Sequence, residues 1–407
     1  MKQKITLLIV CIAWVTSTQA QHKVYTLEEC RALALVHNTR MKTSHLAIES
    51  AEQGRKQALT AYFPTIDMIG TAFQADKGTA ELTLAPDKKL SMMKNGVTAG
   101  VTALLPVFAG GRIANGSKMA RLEEEMARYK LRQSSEEVSL TVEHYYWQLV
   151  NFRSRLTTVE LMEELTSTAS AYFIYKVRWI AANRLQVENS MQTSRMLLAQ
   201  YIGVLADSLE VVQPTFSSLL APESIYTSHE EALPGTTTSQ LLNKQVEMAK
   251  LQKKLVLGGY LPSVSVGGGY LYHNLLDTNH SFGILMATVS VPLSGWWGGS
   301  HELKKQQLNV RSVEYNRDDT CERLLIRMQQ LYNDLNETYK LVKIAEKSIE
   351  TAMENVRLSQ NEYQAGTSTL SEWLDAQALL QDSYDQLTDS YTTYLIQQTE
   401  YLQATGR

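Results

Sequence analysis

The sequence predicts a mainly α-helical chain with a few membrane β-strands, built from two copies of one unit. Three observations predict this. The chain repeats its own pattern; its apolar residues recur every three and four positions over runs too long for a globule; and four shorter stretches alternate apolar and polar residues at bilayer length.

The repeat is legible at three places. Leu59-Thr60-Ala61-Tyr62-Phe63-Pro64 lines up with Leu257-Gly258-Gly259-Tyr260-Leu261-Pro262. Val142, Tyr146 and Leu149 then line up with Met328, Tyr332 and Leu335, and Ile180-Ala181-Ala182-Asn183 with Tyr363-Gln364-Ala365-Gly366. Each copy reads as a helix, two strands, a long helix, a tight turn and a second long helix. Residues 21–207 form the first copy and 239–407 the second. Between them, 208–238 carries Pro214, Pro222 and Pro234 and reads as a linker, the equatorial segment, with little regular structure.

Residues 1–20 read as a secretory signal peptide: Lys2 and Lys4 precede an apolar run from Ile5 to Val15, and Thr18-Gln19-Ala20 is a small-x-small cleavage site before Gln21. Beyond it no stretch is apolar for long enough to make a transmembrane helix, so membrane insertion must use strands. Cys11 lies in the signal, leaving Cys30 and Cys321, which read as free, packed thiols. A net charge of -3 with 20% charged residues provides no basic footprint for nucleic acid.

The long helices declare themselves by a seven-residue period. In the second copy it runs through Cys321, Leu324, Met328, Leu331, Leu335, Thr338, Val342, Ala345, Ile349, Ala352 and Val356; in the first, through Val138, Val142, Tyr145, Leu149, Phe152, Leu156 and Val159. A helix from Gly111 to Ser167 would be on the order of 80 Å long. Helices of that length make coiled rods or tubes.

Strands are predicted at about 65–75, 96–107, 263–272 and 281–293. In the second, Val97, Ala99, Val101, Ala103 and Leu105 share one face while Thr98, Gly100 and Thr102 share the other. Tyr62, Phe63, Phe108, Tyr260, Trp296 and Trp297 cluster at the helix-proximal strand ends, as aromatics at a membrane interface do. Four strands cannot close a barrel, and lipid tolerates no open sheet edge, so the chain must oligomerise through its strands. Two, three or four copies would all reach eight strands or more.

The stretch Tyr363-Gln364-Ala365-Gly366-Thr367-Ser368-Thr369-Leu370-Ser371-Glu372-Trp373-Leu374-Asp375-Ala376-Gln377 resembles the Tyr-x-x-Gly turn and Leu-Asp-Ala stretch of the TolC family of outer-membrane factors. With the duplication and the strands, the resemblance covers nearly all of the chain after the signal. It implies a homotrimer in outer-membrane lipid, with a twelve-strand β-barrel continuous with an α-helical barrel extending into the periplasm. It also implies a passive export duct for efflux or type I secretion, opened by a periplasmic adaptor (membrane fusion protein) and an inner-membrane pump of RND, ABC or MFS type, with no cofactor.

The family's narrow end is lined by acidic residues placed, relative to the turn glycine, where Glu372 and Asp375 stand here, which makes these two the expected gate and selectivity residues. Neighbouring Asp382 and Asp385 read as surface charges. Gly366 suits a turn because glycine takes positive φ freely, and Asn183 at the matching place is the next-best residue. Gly366 and Thr367, with Asn183 and Arg184, are therefore the expected adaptor-docking turns.

No catalytic or nucleotide-binding motif is present: the sequence holds neither G-x-S-x-G nor H-E-x-x-H. His273, Asp277 and His280 read as polar residues of a loop between strands, and no metal site is expected. The competing class is a periplasmic coiled-coil structural or adaptor protein without a pore.

Overall fold

The computed structural model describes residues 23–76, 80–85, 88–92, 95–167, 174–212, 219–274, 279–293 and 295–407. The expected signal peptide and Asp277 lie outside them. In chain order the elements are β1 (Lys23–Tyr25), α1 (Leu27–His37), α2 (Thr39–Thr60), β2 (Thr65–Gln74), β3 (Ala80–Ala85), β4 (Lys88–Met92), β5 (Asn95–Ala109), α3 (Arg112–Ser167) and α4 (Ile174–Ile202). They continue with β6 (Leu209–Val211), α5 (Pro222–Ile225), α6 (His229–Ala232), α7 (Thr237–Gly258), β7 (Ser263–Asn274), β8 (Asn279–Ser290), α8 (Gly295–Gln364) and α9 (Leu370–Ala404).

The duplicated order stands: α2, β2, β5, α3 and α4 answer to α7, β7, β8, α8 and α9. Its third anchor does not. Asn183 and Arg184 lie inside α4 rather than at a turn. The reason is a length difference: α8 has 70 residues and α3 has 56, so an alignment made near the strands has slipped by the far end. Residues 168–173, between α3 and α4, lie outside the described residues. Arg184 is instead held along and across the helices, donating to Glu188 one turn on at 2.8 Å and to Glu163 of α3 at 2.6 Å.

The chain divides into two compact units. One comprises the described parts of Met1–Leu46, Tyr129–Gln240 and Asp319–Arg407, and its core is the predicted seam. Met328, Leu331, Leu335, Thr338, Val342, Ala345, Ile349 and Ala352 are all buried along α8, as are Val138, Val142 and Leu149 along α3. Here an apolar stripe with one residue in every turn buries continuously against neighbouring helices, which is what keeps so long a helix ordered. The equatorial segment is more regular than its prolines suggest: β6 pairs in parallel with β1, and Arg407 donates to the Ile225 carbonyl at 2.5 Å. Buried Glu143 on α3 accepts from Arg31 of α1 at 2.6 Å and from Thr399 of α9 at 3.0 Å, joining three helices through one carboxylate.

The second unit, Ala47–Arg128 and Leu241–Asp318, carries the sheet. Its four strands are antiparallel in the order β2-β5-β7-β8, and β3 and β4 form a separate hairpin that the sequence pattern does not announce. Pro106 occupies a central strand, where its missing N–H would interrupt a ladder, and the β5–β7 register accordingly shifts between Pro106 and Phe108.

Candidate functional site

Two places stand out as candidate sites: the sheet in one unit and the α8–α9 turn in the other.

The sheet register places Ile66, Ala103, Gly268 and Leu285 in one row, and Met68, Val101 and Tyr270 in the next on the same face. This face is bare: Leu285 is 92% exposed and Met68 79%. Such a run of exposed aliphatics is costly in water and favourable in lipid. The opposite face is mixed rather than polar throughout. Asp67, Thr102, Thr98 and His273 share it with Leu104, Leu271 and Phe282. The glycines explain how it packs: a Cβ on Gly100 would meet the Leu271 side chain at 2.4 Å, and one on Gly267 would meet the Ala103 carbonyl oxygen at 2.5 Å.

At the α8–α9 turn both helix ends are closed by hydrogen bonds. Gly366 takes φ +73°, its N–H donates to the Tyr363 carbonyl at 3.0 Å, and the Thr367 N–H donates to the Glu362 carbonyl at 3.0 Å, which completes a Schellman motif. Two residues on, Thr369 caps α9. Its hydroxyl accepts from the Glu372 N–H at 3.3 Å, while the Glu372 carboxylate accepts from the Thr369 N–H at 2.8 Å and from the Ser368 hydroxyl at 2.6 Å. These donors, the Ser368 hydroxyl first, hold the Glu372 carboxyl below the usual carboxylate range. Asp375 stands exposed one turn along, while Leu374 and Ala376 on either side of it in the sequence are buried. The Trp373 ring stacks on Tyr363 at 5.5 Å, bracing the two helices. Glu372 and Asp375, three apart and both exposed, thus stand as neighbours on the surface of α9.

Residues 31–175 and 242–407 match the family model described as outer membrane efflux protein. The chain belongs to that family. Its curated relative, the outer membrane protein TolC of Vibrio cholerae serotype O1, is 22% identical over 236 residues; the match covers 56% of this chain and about half, 54%, of that protein. Among solved structures, the outer membrane protein VceC of Vibrio cholerae superposes with a TM-score of 0.75 at 15% identity, covering 93% of this chain and 96% of that one. The open state of the Neisseria gonorrhoeae MtrE outer membrane channel gives 0.73 at 13% identity, covering 96% and 93%. The fold is therefore TolC-like, and this efflux-family protein resides in the outer membrane. Among the described residues no helix is long and apolar enough to cross a membrane.

The aromatics named from the sequence divide. Tyr62, Phe63, Phe108 and Trp297 are exposed at the helix-proximal strand ends, Trp297 by 84%. Tyr260 is half-buried: its ring lies against the α8 backbone, so close that a Cβ on Gly299 would meet it at 3.0 Å. The Trp296 side chain lies outside the described residues. Tyr270 and Tyr272, near the other end of β7, were missed; their hydroxyls donate to Ser281 and Asn279 across the hairpin at 3.0 and 3.1 Å.

Two further features at the helical end were missed. Glu372 has a capping role that Thr369-x-x-Glu372 spells out in the sequence. Asp385 is not a plain surface charge: partial burial pushes its carboxyl up to about 6. Near it, Asp389 of α9 accepts from Arg155 of α3 at 2.6 Å and from Asn151, linking the two helices.

Proposed function

We propose that the chain is one subunit of a passive export duct in a tripartite efflux or type I secretion system. Three copies close their sheets, β8 of one against β2 of the next, into a twelve-strand barrel in outer-membrane lipid. The observation that carries this reading is the four-stranded sheet itself, with an exposed aliphatic face and two unpaired edges. Neither edge could stand alone in hydrocarbon, where each unsatisfied backbone group costs several kcal/mol. Tyr62, Phe63, Phe108 and Trp297 mark the periplasmic interface of that barrel, with Tyr260 and Trp296 beside them.

The α8–α9 tip forms the narrow end. Glu372 and Asp375, repeated by symmetry, make rings of negative charge that favour cations and repel one another, so the constriction opens readily once a partner loosens it. That partner is a periplasmic adaptor docking at Gly366 and Thr367 and joined to an inner-membrane pump of RND, ABC or MFS type, which provides the energy. The docking role expected of Asn183 and Arg184 rested on their standing at a turn, and it is not carried forward. The duct itself needs no catalyst.

Reconstitution into planar bilayers tests the reading. Steady, cation-selective conductance is expected, and Glu372→Gln with Asp375→Asn should lower the selectivity while conductance persists. Unchanged selectivity would reject the gate assignment, and absence of any conductance would reject the duct.

A further inference from the structure

His273 is the next-to-last residue of β7 and His280 the second of β8, and the register sets them directly opposite each other. Both project on the mixed, polar-bearing face of the sheet, in the row that also contains Thr71 and Thr98. They lie at the end of the hairpin away from the helices, since Ser263 and Ser290 pair at the other end.

Their imidazole rings stand 5.5 Å apart, centre to centre, inclined by 37°. That separation, within the ordinary range for packed rings, also suits a shared metal ion. With a metal–nitrogen bond of about 2.0–2.1 Å, each ring centre lies about 3.2 Å from the ion, and a tetrahedral angle then sets the two centres about 5.2 Å apart. The observed pair needs only a few tenths of an ångström of adjustment. A second observation points the same way: Nδ1 of His273 is closed off from solvent and has no hydrogen-bond partner in the protein. An orphaned acceptor or donor at such a place is an unmet demand. Beside it lies a depression of about 280 Å³ lined in part by Ile69, Thr98, Leu271, His273 and Phe282, with room for the remaining coordination positions to be filled by water or an incoming ligand. Phe282 packs edge-on to His273 at 6.1 Å and limits the ring's freedom to rotate away.

We propose that His273 and His280 form a two-histidine site for a borderline divalent cation, Cu²⁺, Ni²⁺ or Zn²⁺, at the outer end of the β7–β8 hairpin. Imidazole pairs suit these ions, and the absence of an oxygen cage disfavours Ca²⁺ and Mg²⁺. Among the described residues no group of three or more potential protein ligands is assembled. The site is therefore an open one, which captures and releases a cation rather than burying it. Bound metal would also tie the two strands together where the hairpin is farthest from the helices. The inference concerns one hairpin and does not depend on the duct reading.

The test uses the full chain in detergent, carrying no polyhistidine tag, titrated calorimetrically with Zn²⁺ and with Mg²⁺ as control. One Zn²⁺ per chain is expected, with no Mg²⁺ binding. His273→Gln or His280→Gln should each weaken Zn²⁺ by about 100-fold, because losing one arm of a chelate removes the effective concentration it supplied. His301→Gln, at an exposed position in α8, should leave binding unchanged. If a variant fails to fold, the wild-type chain still decides: Zn²⁺ should protect His273 and His280, and not His301, from diethylpyrocarbonate in a mass-spectrometric footprint. Absence of Zn²⁺ binding by wild type, equal binding by the His273 and His280 variants, or a footprint blind to Zn²⁺ would each overturn the proposal.

Discussion

Replacing Asp385 by Asn should stabilise the protein above pH 7 and have little effect near pH 4. Burial is the largest cause of the raised pKa; Asp389 and Asp382 add to it, while Arg155 and the Gln381 amide oppose it. A carboxyl raised from 3.8 to about 6 binds its proton more tightly folded than unfolded. The stabilising contribution is therefore fully present below pH 3.8 and is lost as pH rises through about 6. At roughly 1.4 kcal/mol for each of about two pH units the cost of the ionised form reaches about 3 kcal/mol, and residual contact with water reduces it to about 1–2 kcal/mol. Asn is nearly isosteric and keeps an oxygen for the Gln381 amide, which donates to Oδ1 at 3.1 Å. Arg155 keeps its partner Asp389 in the variant. Thermal unfolding of the detergent-solubilised chain, followed by tryptophan fluorescence, should show the variant melting a few degrees higher at pH 8 and equal to wild type near pH 4. A variant no more stable at pH 8, or stabilised equally at both pH values, would refute the reasoning.

Two further expectations concern the tip. Gly366→Ala puts a side chain at φ +73° with no atom within 4 Å to obstruct it, so the cost is purely backbone, about 1–2 kcal/mol. Hydrogen exchange of the Thr367 and Ser368 amides, both bonded to the Glu362 carbonyl, should quicken by roughly 5–30-fold. Glu372→Ala removes one arm of the α9 capping box and should speed exchange in the first turn of α9 by about five-fold, whereas Glu372→Gln, which keeps an acceptor, should change it less. That contrast separates the cap from the charge, so the bilayer measurement with Glu372→Gln reads the ring of carboxylates on an intact turn.

How much was legible in the sequence depends on how local the signal is. The α8 seam was: every seam position from Met328 to Ala352 is buried, because a seven-residue period has one physical meaning over so many turns. The strands were read to within a few residues, and β8 ends at Ser290 rather than Leu293. Gly366 was legible because positive φ selects glycine. The first hairpin was not. Asn183 lies on a periodic helical stretch that continues in both directions, and no residue there compels a turn. The β1–β6 pair was invisible for another reason: three-residue strands joined across most of the first copy leave no local pattern. Asp385 looked like any helix charge, since its burial comes from tertiary neighbours rather than from its own sequence context.

The central claim is that identical chains complete one another's sheets in lipid. Electron cryomicroscopy of the full chain in lipid nanodiscs tests it most directly. The account predicts a three-fold particle with twelve strands in the bilayer and β2 of each subunit hydrogen-bonded to β8 of its neighbour. A single-chain particle, or subunits joined elsewhere with the β2 and β8 edges unpaired, would contradict it.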